Sequence, residues 1–297
     1  MTVTMRNSET RSLYWAGPLL VYLTSLSMLI LSKSVSNTRY LLVALGFEFL
    51  VFALPLSVMT LIVKRVEKDK LWSSTGFTRI PVVKVVLFSL ALYFSVFIST
   101  WLLFRAAEYL APTLPEVARY DPTALGEAFR GLPAIAYWYI IFTGVVYAGF
   151  GEEILFRGYV LTRLLRRGLS FSVIASSIMW SSLHLWYIPI LGSTGIWQHL
   201  QVIITGLIFG VAFAKMRNLI PIIAVHGYAN ILLPLSFLYP GPALSLTTLI
   251  VLLAGFAATL ILLIRQLLAR VKSRSSIINH TYPTTSITSD RQVLSLS

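Results

Sequence analysis

The chain has 297 residues, of which 57% are hydrophobic and only 12% charged. Soluble domains carry about 25% charged residues, so this composition is that of a membrane protein, and a mean hydropathy of +0.79 agrees. Cysteine is absent, which excludes disulfides, thiolate catalysis and cysteine-ligated zinc or iron–sulfur centres. A net charge of +13 would suggest nucleic acid in a soluble protein. Here the basic residues fall in short loops between apolar runs, the pattern of membrane topology, so no nucleic-acid partner is expected and the bilayer itself is.

A run of about 20 apolar residues spans the hydrocarbon core as a helix. Eight such runs follow one another, at 13–31, 40–63, 82–104, 132–165, 171–191, 199–214, 219–238 and 243–264. The expected fold is therefore all-α, a polytopic membrane helix bundle of about eight spans. The fourth run is over-long and is expected to end in a turn near Arg163; the sixth is short. Residues 1–12 form an N-terminal segment, 13–131 the first three spans with an outer loop, 132–264 a core of five spans, and 265–297 a basic, then Ser/Thr-rich tail. The tail has no apolar period from Ser273 onward and reads as disordered. The first run follows Arg6 and Arg11 but exceeds a usual signal-peptide core, and no A-x-A site follows it, so an uncleaved first span is expected.

Charge orients the bundle. With eight spans, one side receives 1–12, 64–81, the Arg163–Gly168 turn, 215–218 and the tail, which together hold 17 Lys and Arg. The other side receives 32–39, 105–131, 192–198 and 239–242, which hold five. The richer side is expected to be cytoplasmic, with both termini on it. The longest outer loop, 105–131, contains Pro112, Pro115 and Pro122 and is expected to hold a short surface helix. The basic segment 64–81, with Trp72 and Phe77 interleaved, reads as interfacial anchoring against anionic lipid.

Polar groups within the spans carry the functional information, because intramembrane charge is costly. Glu152, Glu153 and Arg157 lie within six residues, flanked by apolar sequence. Glu152 and Glu153 point about 100° apart on a helix, whereas Glu153 and Arg157 are i,i+4 and pair on one face. Glu152 is then the carboxylate left without a local partner. His184 follows in Trp180-Ser-Ser-Leu-His184, and His226 and Asn230 are again i,i+4. At 1.5 Å per residue, Glu152, His184 and His226 lie roughly 16, 21 and 10 Å from the basic surface, a shared layer on three helices. Gly206 and Gly210 form G-x-x-x-G, read as a close helix contact. His199 beside Trp197 reads as an interface anchor, and Glu48 has no partner in the sequence and no assigned role.

Three motifs in this order, Glu152-Glu153-x-x-x-Arg157, Trp180-x-x-x-His184 and His226-x-x-x-Asn230, resemble the signature of the CPBP family of intramembrane proteases, which includes the CAAX prenyl proteases. The resemblance covers about 130–240, with one departure: the family most often has Phe where this chain has Trp180. It implies an intramembrane endopeptidase in which Glu152 and His184 hold and activate the attacking water. His226 and Asn230 would stabilise the oxyanion, and Glu153 and Arg157 would support them. The implied substrate is a membrane-associated or lipidated protein, prenylated CAAX proteins being one option, although no residue here reads a prenyl group. A metal set of Glu152, His184 and His226, with zinc as the ion, is conceivable. No H-E-x-x-H pair is present, and no obligatory metal is expected. Two rivals remain on sequence grounds. One is a catalytically silent immunity or scaffold protein of the same family. The other is a proton-coupled transporter, which the lack of internal repeats disfavours.

Overall fold

The computed structural model describes residues 16–27, 50, 53–121, 123–130, 132–239 and 242–281. Glu48 and the tail from 282 lie outside the described residues. Those described form helices and turns with no strand among them: α1 (Ala16–Ser27), α2 (53–66), α3 (Leu71–Ser74), α4 (Val82–Leu110), α5 (Ala124–Phe129), α6 (Ala134–Arg167), α7 (Leu169–Ser182), α8 (Tyr187–Leu191), α9 (Ser193–Met216), α10 (Ile220–Leu238) and α11 (Pro242–Thr281). The protein is an all-α membrane helix bundle. Four helical stretches are long and apolar enough to cross a membrane, at Val82–Thr113, Ala134–Arg167, Ser193–Met216 and Leu244–Ala269. Ala16–Ser27, Leu169–Ser182 and Ile220–Ser236 are shorter apolar helices.

Backbone chemistry sets the helix ends. α6 stops at Gly168, whose φ of 102° suits a residue without Cβ. α9 stops at Arg217 in the left-handed region, and α10 restarts with Pro221 in its first turn, where the missing N–H costs nothing. Asn218 joins the two: its Oδ1 accepts from Ile220 N at 2.9 Å and its Nδ2 donates to the Thr78 carbonyl at 2.5 Å.

Three expectations are corrected. The span expected at 171–191 is broken: α7 ends at Ser182, a turn occupies 183–186, and α8 follows. His184 therefore sits in a helix break and not on a continuous helix. α9 begins at Ser193, six residues before the expected start, so His199 lies inside it and its buried Nδ1 has no partner among the described residues. The last helix continues to Thr281, past Ser273 where the sequence reading begins a disordered tail. The outer loop does hold the short helix α5, preceded by two 3-10 turns at Ala111–Thr113 and Glu116–Ala118.

Segment 64–81 does more than float at an interface. Thr75 is buried, Gly76 accepts from Leu219 N through its carbonyl, and Gly158 of α6 packs so closely on Thr75 that an added Cβ would lie 2.7 Å from its carbonyl oxygen. α6 thus lies at the centre of the fold, with α7 and α10 against it and α9 behind them. Ile154, Leu155, Phe156, Tyr159, Val160 and Leu161 all belong to the main core.

Candidate active site

α6 carries the acidic pair on a widened, π-type stretch, Gly144–Leu161. Such turns are usually confined to a single turn and gather at functional sites; here they cover Glu152, Glu153 and Arg157. Gly149 in this stretch faces Gly227 of α10, and a Cβ on Gly149 would come within 3.0 Å of the Gly227 Cα. The close approach depends on Gly149, since a Cβ on Gly227 would make only ordinary contact with Val145 at 3.7 Å. That approach brings His226, the neighbour of Gly227, onto α6.

Glu153 and Arg157 pair as their spacing predicts, with Arg157 Nη1 donating to Glu153 Oε1 at 3.1 Å and both side chains essentially inaccessible. The same Oε1 also accepts from His226 Nδ1–H at 2.7 Å. This link was not expected, because the sequence groups His226 with Asn230 alone. Glu153 is the hinge between two motifs: it neutralises Arg157 and fixes the imidazole of His226. With Nδ1 committed, Nε2 of His226 is the ring nitrogen left for a substrate.

Glu152 is not without a partner. Trp180 Nε1 donates to its Oε2 at 2.5 Å. Glu152 Oε1 has no hydrogen-bond partner among the described residues. Trp180 is 3% exposed and organises the site. The Arg157 guanidinium lies 4.1 Å from its ring centroid, a buried cation–π contact. The rings of His184 and His226 approach it at 5.0 and 5.6 Å between centroids. The position at which the sequence departs from the family motif is thus the one that every other polar side chain of the site, except Glu153 and Asn230, touches. Phenylalanine could supply the ring but not the N–H. Trp180 in turn rests on Gly206 of α9, where a Cβ would lie 3.1 Å from the indole, and Gly210 packs as closely on Val173. The G-x-x-x-G stripe is the close contact that its spacing suggests.

The helix break presents His184 at the end of α7. Its Nδ1–H donates to the Trp180 carbonyl at 3.3 Å, which leaves the Nε2 lone pair to accept a proton. Glu152 is close enough for its charge to act on His184 and on Tyr187, and His199 also lies within electrostatic reach of His184. Neither Tyr187 nor His199 was singled out as a site residue, and no spacing signal points to them, since they follow a break that hydropathy does not show. Asn230 stands apart: its Nδ2 donates to the Gly144 carbonyl at 3.3 Å, two turns along α6 from Glu152. One amide hydrogen of Asn230 is committed there.

The six predicted residues therefore divide. Glu152, Glu153, Arg157, His184 and His226 gather around Trp180, and Asn230 sits at the margin. Among the described residues no three His, Asp or Glu side chains come together as a ligand set.

The cluster buries two glutamates, an arginine and a histidine among the helices of a membrane bundle. Residues 134–232 match the family model for Type II CAAX prenyl endopeptidase Rce1-like. This segment, from α6 into α10, contains every residue of the cluster, and over it the chain is similar to the CPBP/CAAX proteases. No curated protein and no solved structure matches the chain.

Proposed function

We propose that the chain is an intramembrane endopeptidase that hydrolyses peptide bonds with a water activated by Glu152 and His184. The observation that carries this reading is the pair of free acceptors around Trp180: Glu152 Oε1 without a partner among the described residues, and His184 held in the tautomer that leaves Nε2 unprotonated. A water between them loses a proton to Glu152 as its oxygen attacks the peptide carbonyl. The developing oxyanion takes a hydrogen bond from His226 Nε2–H. The step uses the imidazolium form, whose Nδ1–H stays on the carboxylate of Glu153 while Nε2–H faces the oxyanion. Glu152 then returns the proton to the leaving amine as the tetrahedral intermediate collapses. Asn230, with one amide hydrogen left, is the second donor. The scheme uses one water and these side chains, and it requires no bound metal. The substrates are peptides presented at the membrane, lipidated ones included. The basic face of the bundle, where 64–81 and 215–218 lie, is the cytoplasmic one.

The test is hydrolysis of a lipid-embedded fluorogenic peptide by the purified chain in vesicles, with and without a farnesylated cysteine in the peptide. Glu152→Gln and His184→Ala are each expected to lower turnover by about 10²–10⁴-fold while the melting curve stays at the wild-type position. Full activity in either variant overturns the mechanism. No hydrolysis of any peptide by the wild-type chain would favour a silent relative.

A further inference from the structure

The side of α9 turned away from the cluster borders a groove that the peptidase chemistry does not use. α4 and α9 run antiparallel. Gln201 Nε2 donates to Thr100 Oγ1 at 3.3 Å near one end, and Thr78 Oγ1, just before α4, donates to the Arg217 carbonyl at 3.1 Å at the other. Between these ties lies a cavity of about 510 Å³, walled by residues that include Phe88, Leu92 and Ser95 of α4 and Leu207, Val211 and Lys215 of α9. Both helices are among the four long enough to cross a membrane, so the groove lies within the bilayer and opens toward lipid. Phe209, on the other side of α9, meets Arg157 and His226. The groove and the active site are therefore separated by one helix.

The lining has a polarity. Ser95 spends its hydroxyl hydrogen on the Ala91 carbonyl of its own helix at 2.8 Å, so the interior offers almost only carbon. Lys215, in the last turn of α9, is the one charged residue among the described residues of the wall. Lys84 lies one turn before Phe88 on the same face of α4, and Arg79 and Arg217 flank the same end. Neither Lys84 nor Lys215 is ion-paired among the described residues. Glu67 and Asp69, the acids of the neighbouring segment, are both committed to Arg163. From Leu207 to Lys215 the groove runs roughly 12 Å along the helix, the depth reached by the upper part of an acyl chain whose headgroup stands at the surface.

We propose that this groove is a binding site for one anionic phospholipid, with an acyl chain between α4 and α9 and the phosphate between Lys84 and Lys215. An apolar slot within the bilayer excludes peptide and nucleotide, whose polar backbones would lose water there without replacement. A basic mouth between membrane helices selects for an anionic headgroup. The proposal is independent of the peptidase reading, since no residue of the groove belongs to the cluster around Trp180.

The experiment is binding of a phosphatidylglycerol with a fluorescent acyl chain to the purified full chain in detergent, beside phosphatidylcholine with the same chain. The wild type is expected to bind phosphatidylglycerol more tightly. Lys215→Gln is expected to raise its apparent Kd about fivefold, and Lys84→Gln with Lys215→Gln about 25-fold. Val211→Trp, which fills the groove and leaves the charges, is expected to abolish saturable binding. Leu207→Trp repeats the test should the first variant not elute and melt as the wild type does. Lys64→Gln, basic and exposed but outside the groove, is expected to change nothing. Equal affinity for the two lipids in the wild type, an equal loss in Lys64→Gln, or unaltered binding in the folded groove-filling variant overturns the proposal.

Discussion

Arg157 and Arg163 stand six residues apart on α6, both buried and both paired with carboxylates, yet their surroundings differ in kind. Arg163 is closed in on every side. Its Nε donates to both oxygens of Glu67 at 3.1 Å, its Nη2 to Glu67 and, at 3.4 Å, to Asp69, and its Nη1 to the Ser74 carbonyl. Tyr159 lies under the guanidinium and donates to Glu67 at 3.1 Å. Arg157 has a single ion-pair bond, and its Nη2 and the Oε2 of Glu153 are buried without partners among the described residues. A buried polar atom left unsatisfied costs about 1–3 kcal/mol, so the cluster around Arg157 is the less economical of the two. The difference separates a structural clamp, which fastens segment 64–81 to α6, from a site that keeps hydrogen-bonding capacity in reserve.

Four experiments can break or sharpen that contrast, beyond the loss of turnover expected for Glu152→Gln. The largest effect on stability is expected from Arg157→Ala. It leaves the buried Glu153 with His226 as its only partner among the described residues and is expected to cost about 3–5 kcal/mol in equilibrium unfolding. A normal melting curve with no activity would instead place Arg157 in the chemistry. Next, Trp180→Phe keeps the ring but removes the N–H to Glu152. A hydrogen bond to a charged group contributes about 1.5–3 kcal/mol, so kcat/KM is expected to fall roughly 10- to 100-fold with the fold retained. An unchanged rate would reduce that contact to packing. Third, Arg163→Met is expected to cost about 1–3 kcal/mol of stability while leaving kcat within about twofold. A large loss of turnover in a protein of normal stability would show that the clamp positions the site. The smallest perturbation is a label. The chain has no cysteine, so Lys68→Cys and Thr113→Cys each create a single thiol. An impermeant maleimide is expected to reach the second in intact cells and the first only after permeabilisation. The opposite pattern would invert the topology.

Much of the architecture was legible in sequence because hydropathy and charge report directly on the bilayer. The all-α bundle, the over-long helix ending near Arg163, the surface helix in the outer loop and the G-x-x-x-G contact each follow from a run length, a loop composition or a spacing. What hydropathy could not report was the break at 183–186: Leu183, Leu185 and Trp186 keep the apolar average high although the backbone turns. The early start of α9 was hidden for the related reason that Ser193, Thr194 and Gly195 lower the average without stopping a helix.

The same division holds within the site. The sequence by itself determined the Glu153–Arg157 pair, because i,i+4 neighbours on one helix meet whatever the rest of the chain does. It also named most of the other polar residues that gather there. Only the tertiary structure decided their partners. His226 falls to Glu153 because Gly149 lets α10 come close to α6, Glu152 falls to Trp180 because Gly206 admits the indole, and Asn230 is held at Gly144 two turns away. Each of these contacts joins residues 28 to 86 positions apart. Separations of that size are set by how helices pack against one another, and local spacing carries no record of them.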